Sequence, residues 1–235
     1  MVPVKSDSAS AQPASRQVQR IYNWLSPIYG FWGSIFESRA HRRILEVVEP
    51  RFGESVLEVA VGGGEVFAAL RRTKALNRCI GIELSAGMLR RARRRLGPGS
   101  ALCRADVRQL PFANEIFDVI LNCYLLESLS DADIRRALAE FHRVLKPSGR
   151  LVLLTMIAPA WPLDSIWMWL FRNAPLLVGA CRPVVVTPFL MNNGWQVSLT
   201  EQISQNGFRS QLIRASPVPV AQGLANAKGI NALGA

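Results

Sequence analysis

The chain has few of the residues on which metal sites and disulfide frameworks depend. Its 235 residues include two histidines and four cysteines, which are Cys79, Cys103, Cys123 and Cys181. No two of these cysteines form a C-x-x-C pair, so the sequence predicts neither a metal centre nor a disulfide-bonded secreted fold. We interpret the cysteines as reduced thiols and expect a cytoplasmic protein.

No apolar run is long enough to cross a membrane. The most apolar segment, residues 156–186, is rich in tryptophan, but residues such as Pro162 and Arg172 interrupt it. A spanning helix needs roughly twenty consecutive apolar residues, which this segment does not supply. We predict a cap over an apolar substrate or an interfacial segment, with ordinary core packing as the remaining alternative.

Acidic residues are also scarce. The chain has 17 Asp and Glu against 28 Lys and Arg, for a formal net charge of +11. Such a charge favours anionic partners, which are lipid headgroups, nucleic acid or acidic proteins. Five arginines fall within residues 90–95 of a predicted helix, which is either a contact for acidic lipid or a solvated face. Because no aromatic residues interleave with them for base stacking, nucleic acid is the less favoured partner.

The composition predicts one globular domain. Hydrophobic residues make up 49% of the chain and charged residues 19%, and the length suits a single α/β domain. Residues 1–14 are small and polar without the apolar core of a signal peptide, and residues 216–235 are low in complexity. We predict that both ends are disordered and that the domain spans residues 15–215.

Strand and helix patterns alternate through the centre of the chain. The predicted strands are residues 55–60, 78–83, 100–105, 117–123 and 150–156, and the predicted helices are 38–48, 65–73, 86–96 and 131–145. This alternation predicts a parallel sheet with helices on both faces. Two further strands, 195–203 and 208–214, flank an Asn-Gly pair, which is a strong signal for an antiparallel hairpin.

The stretch that organises the chain is residues 56–67. An apolar run leads into three consecutive glycines, Gly62 to Gly64, and a helical pattern follows at once. This pattern indicates a buried strand, a tight turn and a helix whose N-terminus faces a ligand. Glu83, about twenty residues on at the end of the next strand, is placed to accept hydrogen bonds from ribose hydroxyls. Together with Glu58 and Asp106, it would line one crevice at the carboxyl edge of the sheet.

These stretches resemble the class I S-adenosylmethionine-dependent methyltransferases, in particular the ubiquinone/menaquinone C-methyltransferases and the bacterial phospholipid N-methyltransferases. The resemblance spans about residues 20–214 and is carried by residues 56–64, 81–89, 105–112, 117–120 and 143–151. It implies a Rossmann-like, doubly wound, mostly parallel seven-stranded sheet. The C-terminal hairpin, N-terminal helices and an apolar insertion after the fifth strand complete this expected fold. The implied cofactor is S-adenosyl-L-methionine.

The resemblance also implies a role for each matching position. For the adenosine half, Glu83 holds the ribose hydroxyls, Leu84 packs on the adenine, Asp106 accepts from the adenine amine, and Val107 lies beside it. For the methionine half, the backbone of Ala60, Gly62 and Gly64 passes alongside, Glu58 lies near the amino group, Asn122 and Cys123 lie near the sulfonium, and Tyr22 or Tyr29 of the aromatic opening reaches the cofactor.

One position departs from the family pattern. Ala60 stands where the loop normally has its first glycine, and the added methyl is tolerated if φ there is negative. The aromatic-rich residues 15–49 leave a second question open, since they suit either packing against the sheet or a lid over the crevice. Their spacing favours packing.

The catalytic chemistry requires mainly in-line positioning, and the sequence offers no obvious general base. Glu127, which follows the fourth strand, is the weakly favoured candidate, and His142, Tyr124 and Asp164 are others by type. The leading hypothesis is methyl transfer to a small lipid-like acceptor, either a quinone ring carbon or a phospholipid amine. Under this hypothesis the protein also makes a peripheral contact with an anionic membrane.

Two other functions remain as alternatives. The first is methylation of nucleic acid or protein, but the fourth strand ends with Asn122-Cys123-Tyr124-Leu125 rather than the Asn-Pro-Pro-Tyr type that resembles base-amine methyltransferases. The second is a non-catalytic protein that binds the cofactor or a lipid surface, which Ala60 and the missing base would favour.

Overall fold

A computed structural model describes residues 38–73, 76–157, 169, 173, 181–206 and 208–218. The predicted disordered residues 1–14, most of the predicted tail 216–235, the aromatic opening with Tyr22 and Tyr29, and most of the apolar segment lie outside these residues. The elements are α1 (Ser38–Val48), β1 (Ser55–Val59), α2 (Glu65–Arg72), β2 (Arg78–Glu83), α3 (Ala86–Leu96), β3 (Leu102–Arg104), β4 (Phe117–Cys123), a 3₁₀ turn (Leu126–Ser128), α4 (Asp131–Val144), β5 (Leu145–Met156), α5 (Thr187–Met191), β6 (Trp195–Gln205) and β7 (Phe208–Pro217).

The seven strands form one sheet in the order β3-β2-β1-β4-β5-β7-β6. Strands β1 to β5 are parallel, and β7 runs antiparallel to both β5 and β6. The predicted mostly parallel seven-stranded sheet with its C-terminal hairpin is therefore confirmed. Its strand order reverses between β1 and β4, and ligands of such sheets bind in the crevice outside the carboxyl ends at this switch point.

Alternate strand residues face two separate cores. Val56, Val119 and Val152 pack with α1 and α2 on one face, and further along this face α3 packs its Leu89 and Ala92 around Phe67 of α2. The opposite face packs against α4 and α5. Burial of both faces explains why the central strands read as continuous apolar runs rather than as an alternating pattern.

Several strand boundaries differ from the prediction, and those of β3, β5 and β7 differ most. Strand β5 begins at Leu145, not at residue 150, because the Lys-Pro-Ser-Gly stretch that ends the helix stays extended and bulges beside β4. Strand β3 covers only three residues. Strand β7 reaches Pro217, which pairs with Trp195, so the first two residues of the predicted tail belong to the sheet.

A buried arginine ties α1 to the amino edge of the sheet, which lies opposite the crevice. Arg150 is only 6% exposed. Its guanidinium donates to both carboxylate oxygens of Glu54 at 2.7 and 2.8 Å, and to the carbonyls of Val48 and Glu49. This network fixes the end of α1 and the turn into β1.

Across the described residues, no helix is both long enough and apolar enough to span a bilayer.

Candidate functional site

The glycine-rich loop lies between the carboxyl end of β1 and the start of α2. Gly62 and Gly64 have φ values of 53° and 81°, and Gly64 is the N-cap residue of α2. A Cβ added to Gly62 would meet no atom within 4 Å, so open space faces this backbone. The loop therefore presents unobstructed backbone and a helix N-terminus to a ligand in the crevice.

Ala60 does not have the negative φ that its methyl group would prefer. Its φ is 57°, in the left-handed region. An L-residue there carries a steric cost of about 1 to 2 kcal/mol that glycine avoids. The loop thus keeps the glycine conformation of the family pattern without the glycine, and strain is stored at the edge of the site.

Glu83 connects the end of β2 to the glycine-rich loop. One of its oxygens accepts the amide of Gly62 at 3.0 Å, and the other accepts the amide of Ser85 at 2.8 Å. Burial raises the pKa of the Glu83 carboxyl above its ordinary range, and these backbone amides partly offset the rise. Because a carboxylate has about four acceptor sites, Glu83 retains capacity for a hydroxyl donor.

Glu58 is a buried acid on β1, only 3% exposed. Burial raises the pKa of its carboxyl well above the ordinary value, and the nearby charges of Glu65 and Glu83 raise it further. Within the described part of the chain, its Oε2 atom has no hydrogen-bond partner. A buried acid of this kind is stabilised in its charged form by a cationic ligand group.

Asp106 follows β3 and is held by Arg108. Its oxygens accept from Arg108 Nε at 3.0 Å and Nη2 at 2.6 Å, and also from the Arg108 amide. The Arg108 guanidinium holds the pKa of the Asp106 carboxyl below its usual range. Val107 between them is buried in the core, and Leu84 is half-buried at the end of β2.

Asn122 couples β4 to β1 at the switch point. It is fully buried, and its Nδ2 donates to the carbonyl of Val59 at 2.9 Å. Its Oδ1 atom has no hydrogen-bond partner among the residues that the structure describes. Cys123, the next residue, is half-buried at the strand end.

Tyr124 leaves β4 with a φ of 53° and is fixed from several sides. Its hydroxyl bonds Ser210 Oγ at 2.7 Å, and its ring packs on Phe208 and His41 at centroid distances of 5.7 and 6.0 Å. Burial lowers the pKa of His41 to about 4, so this imidazole is neutral at pH 7. The strained exit of β4 is thereby held against β7 and α1.

Glu127 lies in the 3₁₀ turn after β4 and is 1% exposed. Its Oε1 accepts the backbone amide of Met156 at the end of β5, and its carbonyl accepts the amide of Arg182. These contacts tie the turn to two neighbouring segments. The predicted role of Glu127 as a general base stays a prediction. The other candidate His142 packs on Trp195, which lies at the amino edge of the sheet, opposite the crevice.

The sheet order brings the predicted acids together. Strands β3, β2 and β1 are neighbours, so Asp106, Glu83 and Glu58 follow one another along the crevice. Sequence reasoning missed Arg108 as the partner of Asp106, although an arginine two residues after an acid was a visible signal. It also missed Ser85, which caps α3 by accepting the Met88 amide at 3.2 Å.

The polar atoms around the loop fit S-adenosylmethionine. The unpartnered oxygen of Glu58 suits the ammonium group of the methionine part, and Glu83 suits the ribose hydroxyls. The open space at Gly62 leaves room for the chain between them. The Asp106 carboxylate would accept hydrogen bonds from both Arg108 and the adenine amine.

Comparison with known proteins agrees with this geometry. A family model described as a methyltransferase domain matches residues 57–153. A 2-phytyl-1,4-naphtoquinone methyltransferase of Nostoc punctiforme is 29% identical over 170 residues, covering 68% of this chain and 73% of the relative. A demethylmenaquinone methyltransferase of Lactiplantibacillus plantarum is 30% identical over 173 residues, covering 69% and 72%.

A solved structure shares the fold. The geranyl diphosphate C-methyltransferase of Streptomyces coelicolor, determined with S-adenosyl-L-homocysteine, superposes with a TM-score of 0.63 at 15% identity. The match covers 90% of this chain and 88% of that one. Because a relative that is 30% identical is covered over 72% of its length, the chain belongs to the class I S-adenosylmethionine-dependent methyltransferases and is similar to their quinone C-methyltransferase group.

Proposed function

We propose that the methyl acceptor is a small lipid-like molecule, either a quinone ring carbon or a phospholipid amine. The observation that carries this proposal is the similarity to a demethylmenaquinone methyltransferase at 30% identity over 72% of its length. The Nostoc punctiforme relative is likewise named for a naphthoquinone with a phytyl chain. An apolar, tryptophan-rich segment after β5 would suit such an acceptor.

The cofactor supplies an electrophilic methyl group when it is bound. The contribution of this chain would be to orient the cofactor and the acceptor and to exclude water from the site. Glu58 would hold the ammonium end, Glu83 the ribose, and the buried Asn122 would keep β1 and β4 at a fixed separation beside the reacting centre. Positioning of this kind supplies much of the rate enhancement in a reaction between two bound molecules.

The acceptor is tested with purified protein, S-adenosylmethionine carrying a labelled methyl group, and separate acceptors. Demethylated naphthoquinols and phosphatidylethanolamine in detergent represent the lipid-like class, while transfer RNA and unmodified histone represent the alternatives. We expect label in a lipid-like acceptor and none with Glu83→Ala. Label in RNA or histone alone would refute the proposal. No label on any acceptor, by a protein that binds the cofactor, would favour the non-catalytic alternative.

We also propose Glu127 as the general base that takes the acceptor proton. Its position in the turn that follows β4, the strand that ends with the predicted sulfonium-lining residues, supports this role. Glu127→Gln keeps an oxygen to accept the Met156 amide but loses the basic group. We expect kcat to fall about 100-fold or more with unchanged cofactor affinity, the usual range for removal of a general base. An unchanged kcat would assign Glu127 to structure alone.

A further inference from the structure

The sheet edge formed by β3 and its flanking helices carries an excess of positive charge. Residues 66–105 contain nine arginines and one lysine but a single acid, Glu83. Glu83 is buried and already bonded to backbone amides, so it neutralises none of the surface charge. Apart from Glu65 at the start of α2, the outer surface of this edge is therefore cationic in the described residues.

Helix α3 carries a cluster of these positive charges, and their mutual repulsion destabilises the helix. Its eleven residues include five arginines and no acid. Arg90 and Arg94 are four residues apart, as are Arg91 and Arg95, and like charges at this spacing destabilise a helix. A helix that needed only solubility would alternate the two signs, because opposite charges at the same spacing stabilise it.

Some of the arginines serve the fold. Arg95 pairs with Glu65 at 2.7 Å, and Arg71 of α2 donates to the Leu96 carbonyl and to Ser100. Arg90 and Arg94 are exposed, and no ion pair or side-chain hydrogen bond of theirs occurs among the described residues. These two side chains are thus available to an external anion.

The same edge offers nothing for bases to stack on. The large apolar side chains that are exposed in the described residues are Phe52, Trp169, Val185 and Met191, and none of them belongs to α2, β2, α3 or β3. Binding here would be electrostatic, without the aromatic platforms that single-stranded nucleic acids use. Clustered arginines without such platforms suit the phosphate headgroups of an anionic lipid surface.

We propose that the outward arginines of α3, with Arg71 and Arg72 of α2 and Arg104 of β3, form the surface by which the enzyme docks on an anionic membrane. This α3 arginine surface lies along the β3 edge of the sheet. The choice of a membrane as partner rests on the proposed lipid-like acceptor. Docking would bring the enzyme to the phase in which such an acceptor dissolves.

The test compares two charge-matched double variants of the full chain. Arg90→Gln/Arg94→Gln removes two charges from the α3 arginine surface. Arg39→Gln/Arg42→Gln removes two exposed charges from α1, which packs beside β6 at the other edge of the sheet. Both variants have the same net charge, so a difference between them reports the place of the charge and not its amount.

The measurement is co-sedimentation with phosphatidylcholine vesicles, with and without phosphatidylglycerol. We expect the wild type to bind only the anionic vesicles, the α3 variant to bind about 30-fold more weakly, and the α1 variant to change little. Binding should vanish as salt rises from about 0.01 M to about 1 M, since the screening length falls about tenfold. Equal losses in both variants, or no vesicle binding by the wild type, would overturn the proposal. So would binding to a single-stranded oligonucleotide in preference to vesicles.

Two controls separate docking from folding and from the proposed function. The α3 variant should melt at the same or a higher temperature, because repulsion within the helix is relieved, and it should bind S-adenosylhomocysteine as the wild type does. Its turnover of a detergent-dissolved acceptor should be unchanged, while turnover of the same acceptor in anionic vesicles falls. Vesicle binding without methylation of any lipid-like acceptor would refute the proposed function and leave the docking surface standing.

Discussion

Ala60→Gly should make the ligand-free protein more stable, although it deletes a methyl group. Ala60 has φ 57°, where an L-residue costs about 1 to 2 kcal/mol and glycine does not. Glycine gains flexibility in the unfolded chain, which offsets about 0.4 to 1 kcal/mol of that relief. The net expectation is a stabilisation of about 0.5 to 1 kcal/mol, or roughly 1 to 4 °C in Tm for a domain of this size.

The control is the same substitution in a helical conformation. Ala139 is exposed in the middle of α4, so Ala139→Gly should destabilise the protein by about 1 kcal/mol. Urea denaturation of both variants gives the two free energies of unfolding with a common slope. If Ala60→Gly lost as much stability as Ala139→Gly, the left-handed conformation at residue 60 would be wrong, and with it the strain that we assign to the loop.

Three other substitutions test separate parts of the account. The pKa of Glu58 is raised in the folded protein, so the stability of the ligand-free protein should fall as pH rises from about 4.3, the ordinary glutamate pKa, through that raised value. In denaturation curves, Glu58→Gln should lessen this fall. The same variant should bind S-adenosylhomocysteine more weakly. Asn122→Ala removes a buried hydrogen bond to Val59 and should cost about 1 to 2 kcal/mol in urea denaturation, and no change would contradict the coupling of β4 to β1. Arg150→Ala leaves Glu54 unpaired and should cost about 3 to 5 kcal/mol while the folded fraction keeps its cofactor affinity, since this pair lies at the opposite edge of the sheet.

The alternating part of the fold follows from local patterns. The bounds of α1, β2, α3 and β4 agree with the sequence prediction. The two helices have helical periodicity, with Gly97 marking the end of α3, and the two strands are short, mainly apolar runs. The start of β5 was wrong because Lys-Pro-Ser-Gly reads locally as a helix stop and a loop, while pairing with β4 draws it into the sheet. Local signals carry no information on such pairing.

The site was predictable where it depends on chain order and less so where it depends on side-chain partners. The positions of Glu58, Glu83 and Asp106 along one crevice follow from the strand order of a doubly wound sheet. The sign of φ at Ala60 and the contact of Tyr124 with Ser210 depend on tertiary packing, which spacing does not encode. Those two strained positions flank the switch point, where functional sites commonly store strain.

The most direct test of the central claim is calorimetric titration with S-adenosylhomocysteine on the wild type, Glu83→Ala and Glu83→Gln. We expect micromolar binding by the wild type, none by the alanine variant, and weakened binding by the glutamine variant, whose single carboxamide oxygen still accepts one hydrogen bond. Circular dichroism shows that each variant is folded. A folded wild type that binds no S-adenosylhomocysteine, or a Glu83→Ala variant that binds as tightly as the wild type, would contradict the assignment of this crevice as the cofactor site.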